Sequence, residues 1–262
     1  MVHKSLGTFT VIDGLDGVGK GVVIEAIAAD LQRQGARVFS LDRWWMTNHF
    51  LPEFDLENIT NKPAYFDPNS FDVLLSSEPT YGQIGQAIRE EVIAHNGRNY
   101  SARMTAHLYA ADRLILHKRV LLPALALGKH VVQSRSVSTS LVYQSRQKLA
   151  DGEAPLSMEE IMDMEGNSFC LENGPNLLII PTIQDVQAVM DRLAGREKKD
   201  NAAFENLQFQ LEIKPLYEGE ELRKIFEERG TSVRYIDAGI SIDESKRQAV
   251  EAYRAQYPGI TF

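Results

Sequence analysis

The chain has 262 residues, enough for one full α/β core with insertions and too few for two well-filled ones. With 44% hydrophobic and 24% charged residues it reads as a globular protein, and a formal net charge of -8 argues against the basic surface that holds nucleic acid. One cysteine, Cys170, excludes an internal disulfide and a thiolate metal cluster, and it is expected as a half-buried apolar residue of a reducing compartment. The opening Met-Val-His-Lys-Ser-Leu-Gly lacks the pattern of a signal peptide, and no apolar run is long enough to span a bilayer. A cytoplasmic protein with neither a membrane nor a nucleic-acid partner is the expectation.

In chain order, Phe9-Thr10-Val11-Ile12 is a short apolar strand stopped by Asp13 and Gly14, and a helical pattern follows over residues 20–34. Strands are then predicted over residues 36–41, 72–76, 129–133, 176–180 and 232–236, with helical patterns between most of them. One long helix is predicted over residues 103–127. Such alternation specifies a mainly parallel sheet with helices on both faces, whose ligands bind beyond the carboxyl ends of the strands. Residues 42–70 break the rhythm. They carry Trp44, Trp45, Phe50, Phe54, Tyr65 and Phe66 without a steady period and read as an insertion pinned by aromatics, which packs, lids a substrate or meets another subunit. A second irregular stretch, residues 195–203, is charged and loop-like between two helices. One domain over 1–262 is predicted.

Between the first strand and the first helix lies Gly14-Leu15-Asp16-Gly17-Val18-Gly19-Lys20, which fits G-x-x-x-x-G-K in the context that pattern requires. Its glycines let backbone N–H groups curl around phosphate oxygens, the helix start adds its positive end, and Lys20 bridges the β- and γ-phosphates. The predicted donor-binding residues are therefore Gly14, Leu15, Asp16, Gly17, Val18, Gly19, Lys20, Gly21 and Val22. The Ser or Thr that commonly follows the lysine and holds Mg²⁺ is replaced by Gly21. Asp16, inside the loop, needs a cation to face phosphates and is the candidate metal residue, holding Mg²⁺ through water or orienting the acceptor. Asp13 reads as a turn residue.

Five segments in order resemble the thymidylate kinases: the loop from Ile12 to Gly17, Ser77-Glu78-Pro79-Thr80-Tyr81-Gly82-Gln83-Ile84-Gly85 with Ile88 and Arg89 behind it, Tyr109-Ala110-Ala111-Asp112-Arg113, Ser134-Arg135-Ser136 through Tyr143-Gln144, and Asp191-Arg192 with Arg196 leading to the last strand. The resemblance implies a P-loop NTPase-type three-layer α/β/α sandwich with a mainly parallel sheet and a small lid over about 192–205. It also implies transfer of the ATP γ-phosphate to dTMP, Mg²⁺ accompanying ATP, and a homodimer.

Site roles follow from the same resemblance. Tyr109 stacks on the acceptor base, and Arg113, one helical turn away, bonds its edge. Arg135 holds the acceptor phosphate, Tyr143 lies against the sugar, and Glu78, Tyr81, Ser140 and Gln144 complete the acceptor set. Asp16, Lys20, Arg192 and Arg196 are the catalytic candidates, the two lid arginines meeting charge on the transferred phosphoryl group. Three departures stand out: Ser134 replaces the family's aspartate, Ser136 replaces its aromatic, and Ser77 and Thr80 stand where the family places an arginine. Two further readings are carried: a kinase for another nucleotide or nucleoside, and a catalytically weak nucleotide-binding regulator.

Overall fold

Successive residues of the first strand, β1 (Phe9–Ile12), feed two different hydrophobic cores: Phe9 and Val11 belong to one, Ile12 to the other. That period of two, repeated in the neighbouring strands, makes a sheet buried on both sides. The computed structural model describes residues 6–54, 64–94, 96–98, 100–147, 155–194 and 206–262. The other strands are β2 (Val38–Ser40), β3 (Val73–Ser77), β4 (His130–Ser134), β5 (Leu177–Thr182) and β6 (Ser232–Asp237). All pairings are parallel in the order β2-β3-β4-β1-β5-β6. The helices Lys20–Arg33 and Ile242–Gln256 cover the face of Ile12, Val73, Val132 and Ile179. Ala102–Leu116, Val137–Tyr143 and Leu207–Glu218 cover the other, with buried Cys170 from Glu165–Glu172. This is the three-layer α/β/α arrangement with a parallel sheet.

The chain leaves central β1 for one edge and returns across it between β4 and β5, so a crevice opens at the carboxyl ends of β1 and β4. Strand bounds match the sequence expectation to within two residues. The expected long helix is instead Ala102–Leu116, a wider π turn over His117–Leu121, and Leu122–Ala126. Pro123 has no N–H to give to the preceding turn, which accounts for the break in α-geometry there.

The insertion begins as a helix, Leu41–Asn48, which the aromatic run concealed. Ser40 Oγ caps it by accepting from the Arg43 N–H at 3.3 Å. Trp44 anchors it to the sheet edge, donating Nε1–H to the Phe50 carbonyl at 2.9 Å and meeting Phe39 and Phe66 edge-on. Residues 55–63 of the insertion and 195–205 of the expected lid lie outside the described residues. Among the described residues no helix is long and apolar enough to cross a membrane.

Candidate active site at the strand ends

The Gly-rich loop leaves β1 with φ of 77° at Gly17 and 104° at Gly19, left-handed values that a side chain resists. At Gly17 a Cβ would also stand 2.7 Å from Leu193, so the loop packs directly on the Val186–Ala194 helix. Lys20 folds back over its own loop: Nζ donates to the carbonyls of Gly14 at 2.9 Å and Leu15 at 2.7 Å, and lies 3.8 Å from Asp16. Its ammonium is thus held against the carbonyl oxygens of its own loop. Gly21 sits in open space, with no atom within 4 Å of where a side chain would begin.

Asp16 is the hub of the crevice. Arg135 donates to its Oδ1, Tyr143 OH donates to Oδ2 at 2.9 Å, and the Gln210 side-chain Oε1 accepts the Asp16 N–H at 3.0 Å. Burial pushes its carboxyl up, but Arg135, then Lys20 and the Tyr143 hydroxyl, hold it below the usual carboxylate range. It is a carboxylate at neutral pH. Arg135 reaches it from the end of β4 with φ of 67°, its N–H tied to the Ile12 carbonyl at 2.9 Å. Asp13, expected as a turn residue, is instead fully buried: Ser138, Thr139 and Tyr217 hydroxyls donate to it, stitching β1 to the Val137–Tyr143 and Leu207–Glu218 helices.

A cavity of about 1240 Å³ opens beyond β1, β4, β3 and β2. Of the expected residues, Asp16, Gly21, Glu78, Tyr81, Tyr109, Arg135, Tyr143 and Gln144 line it. Gln144 is nearly fully buried, and its Oε1 has no partner among the described residues, so it presents an unanswered acceptor at this wall.

Arg113 and Ser140 lie deeper than the residues that line the cavity. The Arg113 guanidinium, 1% exposed, turns beneath the cavity: Nε donates to Glu78 at 2.7 Å, Nη1 to Asn167, and Nη2 to the Ser136 carbonyl and Ser140 Oγ, each at 3.1 Å. Every nitrogen of the fork is engaged by the protein itself. Ser140 serves this arginine and is itself fully buried. Burial pushes the Glu78 carboxyl upward while Arg113 draws it back, and Gln133 Nε2 donates to its other oxygen at 2.9 Å. Arg192 lies in the Val186–Ala194 helix with its side chain outside the described residues, as is all of Arg196.

Sequence reasoning assigned no site residue to the insertion or to the helix behind the Glu-Pro segment. Asp42, Arg43 and Trp44 line the cavity from Leu41–Asn48, and Arg89 lines it from the turn Ile88–Ile93. Ser77 Oγ donates to both Asp42 oxygens, at 2.9 and 3.0 Å, and burial raises the Asp42 carboxyl. Gln210 was missed as well, since nothing local links it to a loop 194 residues away.

Comparison with known proteins bears on this geometry. A family model described as Thymidylate kinase matches residues 63–249. A probable thymidylate kinase of Pyrococcus abyssi (strain GE5 / Orsay) is 27% identical over 257 residues, covering 97% of this chain and 99% of that protein. A thymidylate kinase of Geobacillus sp. (strain WCH70) is 28% identical over 204 residues, covering 77% and 90%. Among solved structures, a thymidylate kinase from Candida albicans superimposes with a TM-score of 0.63 at 17% identity, over 95% of this chain and 92% of that one, a likeness of fold.

Proposed function

The chain belongs to the thymidylate kinase family of ATP-dependent phosphotransferases, and from that premise we propose that it phosphorylates dTMP to dTDP in the cavity bounded by Asp16, Tyr109, Arg135 and Tyr143. The observation that carries the proposal is the meeting of the donor loop and the acceptor wall at one carboxylate: Asp16 belongs to the Gly-rich loop and is bonded to Arg135 and Tyr143.

The chemistry follows from the groups present. An acceptor phosphate oxygen, already an anion at neutral pH, attacks the γ-phosphorus in line. The bond to the β–γ bridging oxygen breaks, and ADP leaves with that electron pair. No base needs to take a proton. Lys20, released from the Gly14 and Leu15 carbonyls, follows the charge from the β–γ bridge onto ADP, and the loop amides hold the β-phosphate. Arg135 exchanges its contact with Asp16 for the acceptor phosphate, and Tyr109 offers its ring to the pyrimidine. Tyr143, tied to Asp16 through its hydroxyl, sets its ring where a ribose 2′-hydroxyl would need space. Arg192 and Arg196 are assigned to the transferred phosphoryl group.

Mg²⁺ belongs to the proposal as the companion of ATP, neutralising its phosphate charge when bound. The residues fit a metal carried by phosphates and water: Gly21 offers no side chain, Asp16 is the nearest carboxylate to Lys20, and no cluster of three acidic or imidazole groups occurs among the described residues. One kinase domain over 1–262 and a homodimer complete the reading.

The test is ADP release with dTMP, dUMP, UMP and dGMP. A preference for dTMP is expected, with dUMP used at least about tenfold better than UMP because a hydroxyl against Tyr143 lacks a partner. Lys20→Ala should lower kcat by about 10²–10³. Purine preference, or equal use of UMP and dUMP, overturns the acceptor assignment; unchanged turnover in Lys20→Ala overturns the donor site.

A further inference from the structure

A nucleoside monophosphate brings close to two negative charges into a cavity whose wall carries Asp16, Glu25, Asp42 and Glu78 against Arg43, Arg89 and Arg135. Arg135 already answers Asp16, and Arg43 is exposed on the outer helix. Ser77, at the end of β3, offers only a hydroxyl that Asp42 occupies. Arg89 is the remaining guanidinium, half-buried beside Tyr109.

Its position is built in steps. Thr80 is fixed by Asp112, which accepts the Thr80 N–H at 2.7 Å and its hydroxyl at 2.6 Å. Gly85 allows the Gln83–Ala87 helix to lie on Thr80, since a Cβ there would stand 2.3 Å from the Thr80 carbonyl oxygen. Arg89 then reaches back, donating from Nε to the Thr80 carbonyl at 3.1 Å and from Nη2 to the Pro79 carbonyl. Its carbon rests 3.8 Å from the centre of the Tyr81 ring. Two carbonyls and a ring face fix the plane of the fork, while Nη1 makes no bond among the described residues. Little side-chain freedom is left to lose when a ligand arrives. Its charge is felt across the wall: burial pushes up Asp42, Asp112 and the Tyr109 hydroxyl, and Arg89 opposes the rise at each.

We propose that Arg89 binds the acceptor's phosphate together with Arg135, and thereby selects phosphorylated acceptors over free nucleosides. This rests on the thymidylate reading above. The cation that the end of β3 lacks is supplied from the next helix, stacked on Tyr81 and held ready by the Pro79–Thr80 backbone.

The experiment is calorimetric binding of dTMP and of thymidine to the wild type, Arg89→Gln and Arg89→Lys. In Arg89→Gln, dTMP should weaken by roughly tenfold to a hundredfold, the size of a charge-assisted bond to phosphate, and thymidine by less than about twofold. Arg89→Lys, which keeps the charge and loses the fork, should keep thymidine and recover part of the dTMP affinity. Equal weakening of both ligands would assign Arg89 to holding the loop, and an unchanged dTMP affinity would remove it from the phosphate; either overturns the proposal. Wild-type protein that binds neither ligand instead overturns the thymidylate reading on which it rests.

Discussion

Arg113 and Arg135 both lie within reach of the crevice, yet they belong to regions of opposite character. Arg113 sits in the floor, where Glu78, Asn167, Ser136 and Ser140 take up its fork. Arg135 stands at the mouth, 21% exposed, with a single carboxylate partner that a phosphate can replace. The floor is a finished polar network, which fixes geometry; the mouth is an unfinished one, which leaves charge to be used. Tyr109 and Arg113 share a helix turn and still divide between the two, because the Ala102–Leu116 helix crosses from cavity wall to core within that turn.

The largest effect that would break this contrast is on stability. Arg113→Ala leaves Glu78 buried without its cation and should cost about 3–5 kcal/mol in denaturant unfolding. Arg113→Lys should fail to restore it, because one ammonium cannot replace four directed donations. Arg135→Ala should change stability by less than about 1 kcal/mol, since Lys20 and Tyr143 remain beside Asp16, while acceptor use collapses. Equal destabilisation by the two alanine variants would erase the distinction.

A smaller loss tests whether the wall depends on backbone contact. Gly85→Ala drives a methyl against the Thr80 carbonyl, so the helix must shift, at about 1–3 kcal/mol of stability. The shift should raise the acceptor KM more than the ATP KM, because Thr80 and Arg89 move and the Gly-rich loop does not. The ratio of the two KM values in the variant is the measurement.

The smallest effect belongs to an ion pair far from both regions. Arg37 donates to both oxygens of Asp72, which holds that carboxyl down to about 2. A depressed carboxylate stabilises the fold above its ordinary pKa of 3.8 and loses that contribution as pH falls toward about 2. Asp72→Asn should therefore be less stable than wild type at neutral pH by well under the Arg113 effect, and the gap should close between pH 4 and 2 in unfolding curves. A gap that persists at pH 2 would point to the hydrogen bonds rather than the charge.

Features fixed by local pattern were legible in the sequence. A β-branched run ending in a Gly-rich loop before a helix can fold in few ways, so β1, the loop and the Lys20–Arg33 helix stand where the residues suggest. The alternation of strands and helices similarly foretold the parallel sheet. What was illegible depends on which way a side chain turns or on a distant partner. Asp13 looked like a turn residue because its three hydroxyl donors come from residues 138, 139 and 217. The network around Arg113 was equally hidden, because spacing gives the face of a helix and not the depth of the neighbour. The Leu41–Asn48 helix was hidden by Trp44, Trp45 and Phe50, whose lack of period reflects anchoring to a sheet edge rather than an amphipathic face.

The buried thiol of Cys170 bears on how this chain can be followed over time. Burial raises its pKa far above the ordinary thiol range, and it packs in the core beneath the sheet. A thiolate is the species that reacts with disulfide reagents, so the native chain should be close to inert to them. Labelling then requires the Glu165–Glu172 helix to open, and with one cysteine in the sequence every modified molecule records one such opening. The chain thus carries its own clock for core exposure, and saturating nucleotide, if it tightens the layer above Asn167, should slow that clock without touching the sulfur.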